Sequence, residues 1–258
     1  ARVFVLLMLA KEFQISDFKA SEYVYNVLHR PTDRDKQRKV GSSDLSDPCA
    51  YCLAEKMLGI APPDSPWDMG AVIGTAIHAY LEERNLDAHA LKEQHVTIGE
   101  IPGYGTVGST TDLFLGRVDN GRVVDFKTTD LSKLKFIKRA WQDEPSDYDL
   151  SSVVSARAKI NRYLNQVHLY ALGVQNMGYE VHGLSLAFIP RDGNQLKRDL
   201  WSIDIDYDPE RACKVWDRSV RLWKWLEAGN DYHQLPQHEG CFVCQQLRPL
   251  QGVDEIEL

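Results

Sequence analysis

Apolar residues recur at three- and four-residue steps through Met69, Val72, Ile73, Ala76, Ile77, Tyr80 and Leu81, which predicts an amphipathic helix with that stripe buried. Before it, a helix is expected from about Ala50 to Leu58, stopped by the three prolines of Ala61-Pro-Pro-Asp-Ser-Pro-Trp67. The first forty residues mix apolar and charged positions at helical spacing and end in an exposed link, Arg30 to Lys39. After the amphipathic helix the pattern turns strand-like near Gln94–Ile101, Thr106–Leu115 and Arg122–Thr128. The breaks between these runs, Pro102-Gly-Tyr-Gly105 and Asp119-Asn-Gly121, favour antiparallel hairpins. A polar connection over about Asp143 to Ser155 leads to a helix at roughly Ala158–Met177. Strands Gly183–Ile189 and Asp199–Asp206 then flank the turn Arg191-Asp-Gly-Asn194. A last helix, about Pro209–Leu226, has Pro209 in its first turn and Val215, Trp216, Ser219, Leu222, Trp223 and Leu226 on its buried face. Cys213 in this helix is expected to be a small core residue. The order helix, three strands, helix, two strands, helix describes a mixed α/β (α+β) sheet wrapped by terminal additions.

Composition adds limits to this picture. The 258 residues, 43% of them hydrophobic, can supply a real core. The apolar run Val3 to Ala10 is too short to span a bilayer and lacks the basic head and small-residue cleavage site of a secretory signal, so cytoplasmic residence without membrane attachment is expected. The net charge of −7 means that any nucleic-acid path must be a local basic patch. Lys133, Lys135, Lys138 and Arg139, followed by Trp141, form the densest such segment; they suit a DNA backbone and a stacked base, or merely a solvated face.

The chemistry concentrates in Arg122-Val-Val-Asp-Phe-Lys-Thr-Thr-Asp130. Asp125 and Lys127 stand two apart on an expected strand, so a carboxylate and an ammonium face one pocket. Asp112 on the preceding strand adds a second carboxylate. Such hard oxygen ligands select Mg²⁺ or Mn²⁺, the Phe126 carbonyl offers a further ligand, and His78 would tilt the preference toward Mn²⁺. Lys127 is placed to position or deprotonate a water, or to neutralise transition-state charge. On the amphipathic helix, Gly74, His78 and Glu82 lie beside the apolar face. The glycine leaves room for a neighbour, and Glu82 is either a further carboxylate for metal or a solvated glutamate. Gln166 and Tyr170 lie one helical turn apart with Arg162 a turn earlier, a polar stripe able to touch a phosphate or orient Lys127.

Four of the five cysteines fall in two pairs, Cys49-Ala-Tyr-Cys52 and Cys241-Phe-Val-Cys244. Two such turns complete a tetrahedral four-sulfur shell if folding brings them together from 189 positions apart. Four thiolates suit zinc or an iron–sulfur cluster equally, and His238 near the second pair could replace a thiolate.

With these elements in order, the chain resembles the RecB-type nuclease domain of the PD-(D/E)xK superfamily, including related exonucleases of phages and of CRISPR adaptation. Gly74-Thr-Ala-Ile-His78 is similar to the G-x-x-x-H of the first core helix. Gly108-Ser-Thr-Thr-Asp112 resembles the motif ending in the central carboxylate, Asp125-Phe-Lys127 the D-x-K, and Gln166-Val-His-Leu-Tyr170 the closing Q-x-x-x-Y. The resemblance implies a restriction-endonuclease-like core over residues 67–207. Helical additions at 1–66 and 208–258 would each carry one cysteine pair, the second packing back on the first. It implies catalytic His78, Asp112, Asp125, Lys127, Gln166 and Tyr170, with a cation on His78, Asp112, Asp125 and Phe126. Family members with an iron–sulfur site place one cysteine before the core and three after it. The two-and-two arrangement here favours Zn²⁺ at Cys49, Cys52, Cys241 and Cys244, with a [4Fe-4S] cluster as the alternative. The implied activity is metal-dependent DNA hydrolysis, more exonuclease than endonuclease, on a free or single-stranded end, serving recombination or repair in a bacterial or phage-infected cell. The alternative is a non-cleaving DNA-binding or assembly module that keeps the fold; a hydrolase of some small substrate fits the motif order less well.

Overall fold

The computed structural model describes residue 21 and residues 39–60, 69–84, 90–116, 121–142, 150–238, 241 and 243–244. The chain divides into two units, Ala1–Gln37 and Arg38–Leu258, and all but the helical Ser21 of the described residues belong to the second. The expected N-terminal helices, the charged link up to residue 38 and the proline-rich turn lie outside the described residues.

The centre is a five-stranded sheet of β1 (Ala90–Ile101), β2 (Gly105–Leu115), β3 (Gly121–Thr129), β4 (Val181–Pro190) and β5 (Trp201–Asp206), adjacent in that order. The first three strands form an antiparallel meander, as the glycine-bearing turns suggested. β3 and β4 run parallel, which a hairpin cannot achieve; the crossover consists of α4 (Leu131–Gln142) and α5 (Leu150–Asn176). β5 returns antiparallel to β4. The mixed α/β class is therefore the observed one.

Three boundaries differ from expectation. α4 was hidden in the basic segment: its charges mask an apolar stripe, and Leu134, Ile137 and Ala140 are buried. α5 begins at Leu150, so the second half of the supposed polar connection is its first turns; serine and alanine there were read as loop although Val153 and Ala156 are buried. The strand expected from Asp199 starts at Trp201. Residues Leu196–Asp199 form a short helix, α6, and the Asp199 carboxylate accepts the backbone N–H groups of Asn194 and Gln195, both at 3.0 Å.

Two clusters of buried side chains share α5. One joins the sheet to α4 and α5 through Phe114, Leu186, Phe188, Val167 and Val174. The other joins α2 (Ala50–Met57), the end of the β1–β2 hairpin and α7 (Pro209–Glu227), with Leu169 of α5 reaching into it. Asp208 caps α7 by accepting the Glu210 and Arg211 N–H groups, and Pro209 follows as expected. Val215, Ser219, Leu222 and Leu226 face inward, whereas Cys213 is exposed, one step off that stripe, and not in the core.

The helix α3 (Met69–Arg84) also departs from its pattern. Met69 and Tyr80 are 56% and 55% exposed, and no residue of the helix is buried. Its sequence is apolar nearly all round, so the stripe did not determine the inner face. Glycine did: the side carrying Gly70, Gly74, Ile77, His78 and Leu81 is the less exposed one, and a Cβ at Gly74 would meet Thr128 Oγ1 of β3 at 3.0 Å.

Candidate functional site

β3 sets the register of the centre. Asp125 and Lys127 alternate with Phe126, and the Lys127 ammonium lies 3.0 Å and 2.8 Å from the two Asp125 oxygens. Asp125 is 1% exposed, and burial pushes its carboxyl up to about 7 despite the pull of Lys127. From α5, Gln166 Oε1 accepts a second Lys127 N–H at 2.8 Å, and Gln166 Nε2 donates to the Tyr170 hydroxyl at 2.8 Å. The same ammonium lies 4.6 Å from the ring centroid of Tyr163, so a carboxylate, an amide and an aromatic face together fix one cation.

On the other side of Phe126, Asp112 Oδ2 accepts the Phe126 backbone N–H at 2.6 Å. His78 Nε2 lies 3.1 Å from the Phe126 carbonyl and its Nδ1 3.5 Å from Asp112 Oδ1. The bond to Asp112 holds the His78 pKa above its ordinary value. The close seat of α3 at Gly74 puts the imidazole here, one turn along the same face.

All six sequence-derived residues thus gather around β3, but not as one shell. Asp125 is turned to Lys127, whereas His78, Asp112 and a third group, Glu93 of β1, place ligand atoms within 4.8 Å of one another. Glu82 is exposed and stands outside that group; its backbone carbonyl accepts Lys92 Nζ at 3.0 Å. Glu93 went unread in the sequence because its position depends on a bulge. A regular ladder counted back from the Ile101–Gly105 pair sets Gln94 opposite Asp112, but the shift between Thr97 and Gly99 moves the register by one and aligns Glu93 instead.

Arg162 does not extend the stripe of Gln166 and Tyr170. It reaches away to Asp47, Nη1 to Oδ2 3.1 Å. In the basic segment, Lys133 pairs with Asp130 at 3.0 Å and Lys138 lies 5.8 Å from the Trp201 ring, while Trp141 is 40% exposed.

The second centre is built where the two cysteine pairs meet. Cys49 precedes α2 and Cys52 lies in its first turn, and the sulfur of Cys244 stands 3.6 Å from Cys49 and 3.5 Å from Cys52, with Cys241 3.5 Å from Cys52. All four sulfurs lie within 4.8 Å of one another, and three of the residues are buried. Burial pushes the Cys244 thiol up to about 12, so a thiolate there needs a cation at the centre. His238 is not one of the group; its backbone carbonyl accepts the Cys241 N–H at 2.8 Å. Arg218 of α7 donates to the Leu45 and Asp47 carbonyls, and Asp47 Oδ1 accepts the Cys49 N–H at 3.0 Å, which fixes the loop that presents the first cysteine.

The site is thus carried by a mixed sheet with a helical β3–β4 crossover, a first helix bearing Gly74 and His78, and a closing helix bearing Gln166 and Tyr170. No family model matches the chain, and no curated protein matches it. Among solved structures it is similar to a candidate exonuclease from Eubacterium rectale, at 14% identity and a TM-score of 0.49 over 92% of this chain and 96% of that one. It is also similar to an alkaline exonuclease from Laribacter hongkongensis, at 12% identity and a TM-score of 0.44 over 74% and 89% of the two chains. The complex of the latter with dAMP gives 13% and 0.45 over 77% and 94%. No helix among the described residues is long and apolar enough to cross a membrane.

Proposed function

We propose that the protein is a divalent-cation-dependent deoxyribonuclease, an exonuclease that hydrolyses phosphodiester bonds at a free or single-stranded DNA end in recombination or repair. The observation that carries this reading is Lys127 held between Asp125 and Gln166, next to Phe126, whose carbonyl and whose N–H acceptor Asp112 both face His78. Mg²⁺ or Mn²⁺ on the oxygens of Asp112, Asp125 and Phe126, with His78 beside them, would neutralise phosphate charge and make a water acidic enough to attack.

The protein's own groups do the remainder. Lys127 has Gln166 as a second acceptor, so its ammonium stays aimed when Asp125 turns toward a cation. In that position it orients the attacking water and offsets the charge that grows on the phosphorus oxygens. Asp112 is held by the Phe126 N–H through Oδ2, which leaves Oδ1 turned to His78. The experiment is cleavage of end-labelled linear and circular DNA with Mg²⁺ or Mn²⁺. Lys127→Ala and Asp125→Ala should each lose about 10²–10³-fold in kcat, the scale of one preorganised charge at a reacting centre. Undiminished cleavage by either variant refutes the assignment.

At the cysteines we propose one Zn²⁺. Four bonds of about 2.3 Å to one ion set neighbouring sulfurs about 3.8 Å apart, close to the 3.5–3.6 Å separations, whereas a multi-iron cage needs wider spacing. Protein purified without oxygen should be colourless with one zinc per chain. Visible absorption with iron in its place would identify a cluster.

A further inference from the structure

We propose that Glu93 is a further ligand of the divalent cation, beside His78 Nδ1 and Asp112, with the Phe126 carbonyl also accepting the imidazole N–H. This rests on the metal-dependent reading above and adds a carboxylate from β1 to its shell.

Three observations lead to it. First, Lys92 pairs with Leu113 and Gln94 with Thr111, so Glu93 stands across the ladder from Asp112 and on the same face. Second, the ring nitrogen that faces both carboxylates is Nδ1, 3.5 Å from Asp112 Oδ1 and 3.9 Å from Glu93 Oε1. Nε2 faces the Phe126 carbonyl at 3.1 Å. A metal-binding histidine characteristically donates its second ring N–H to a carbonyl or carboxylate, which fixes the tautomer and turns the other nitrogen to the ion. Third, Glu93 has φ of 43°, the only positive φ of a non-glycine among the described residues, and it falls within a strand. A side chain with a Cβ adopts that conformation at a cost, and such residues gather where a side chain must be aimed. The Lys92 ammonium, bonded to the Glu82 carbonyl at the end of α3, ties this point of β1 to the helix that carries His78.

Two carboxylates and one imidazole, with side-chain exposures of 24% for His78 and Glu93 and 10% for Asp112, leave open positions for water and a phosphate oxygen. The shell suits Mn²⁺ better than Mg²⁺ because of the imidazole.

The test is Mn²⁺ binding followed by electron paramagnetic resonance on the intact, DNA-free protein, with its cysteine metal in place. Glu93→Gln should weaken Mn²⁺ binding at least ~10-fold, the order seen even for removal of a supporting partner at a metal site. Glu100→Gln, on the exposed face of the same strand, should bind as wild type. Asp112→Asn separates the two readings. Loss of binding in Asp112→Asn with wild-type binding in Glu93→Gln overturns the role of Glu93 and leaves the metal-dependent centre standing. Wild-type binding in Asp112→Asn overturns both. Equal loss in Glu100→Gln would mean that the strand, not the ligand, was perturbed and overturns the assignment as well.

Discussion

The cysteine centre and the centre around β3 bring distant residues together by opposite means. Four sulfurs are supplied by Cys49 and Cys52 and, far along the sequence, by Cys241 and Cys244, mostly buried and closed on themselves. His78, Glu93 and Asp112 are only half-buried, are built from oxygen and nitrogen, and sit beside an ammonium held by Asp125 and Gln166. A closed, soft, four-ligand shell stabilises a fold; an open, hard shell with spare positions does chemistry. Separation of stability from activity is the consequence to be tried.

The largest effect belongs to the cysteines. A cation there would close a loop of 189 positions, where loss of chain freedom in the unfolded state is greatest, and structural zinc would contribute folding free energy directly. Cys244→Ser should therefore lower the melting temperature by about 10 °C, equivalent to some 3–5 kcal/mol at the usual scale for a chain of this size. Its residual folded fraction should still bind Mn²⁺ at the β3 centre. Differential scanning calorimetry beside Mn²⁺ titration checks both halves. A Cys244→Ser protein that melts like wild type would mean that the four sulfurs hold no structural metal, and the contrast between the centres would collapse.

The two regions were also unequally legible in the sequence. The cysteine pairs were plain because the C-x-x-C spacing is local, and only their meeting had to be supplied by folding. Asp125 and Lys127 were plain for the same reason, since alternation along a strand fixes their common face. Glu93 was not, because a bulge at Thr97–Gly99 sets its register and nothing in the alternation announces it. The inner face of α3 was misjudged since helix periodicity ranks greasiness, whereas close approach to β3 is governed by the missing side chain at Gly74. α4 escaped notice because its lysines dominated a stripe of only three buried residues, Leu134, Ile137 and Ala140. The mixed sheet was legible at the level of class, whereas the strand order and the parallel β3–β4 pair are set by the crossover helices that the structure shows.

A smaller effect sharpens the difference in electrostatics. Burial raises the Asp125 carboxyl to about 7, above its ordinary unfolded value. The folded state therefore binds the proton more tightly than the unfolded chain, so this group's contribution is full only below its unfolded pKa and is lost as pH rises from there through about 7. His78, also raised, acts in the same direction above its unfolded value. In protein stripped of divalent cations, the melting temperature should fall between pH 5 and pH 8 in wild type by ~5 °C more than in Asp125→Asn, which cannot ionise. Mn²⁺ should remove most of that difference by favouring the charged carboxylate. No comparable Mn²⁺ response is expected from the cysteine centre, whose ligands are soft. Parallel pH curves for the two proteins would show that Asp125 is not held in this way.

The smallest effect lies in the support behind Lys127. Tyr170 stands behind Gln166, and its buried hydroxyl accepts from Gln166 Nε2. Tyr170→Phe removes one acceptor and leaves Gln166 Oε1 still bound to Lys127, so the ammonium loses restraint but no partner. A fall in kcat of about threefold to tenfold with unchanged KM is expected, the size of one modest hydrogen bond expressed at a distance. Gln166→Ala deletes the acceptor itself and should cost several times more. The order of the two variants carries the argument: a purely structural tyrosine would lower the melting temperature and leave kcat of the folded enzyme intact. Loss of kcat in Tyr170→Phe that is smaller than in Gln166→Ala marks a chain of positioning from Tyr170 through Gln166 to Lys127. The loop after α1 (Ser42–Leu45) fixes Cys49 through Asp47 and is no part of that chain, so a change at the cysteines should leave the order of the two variants unaltered.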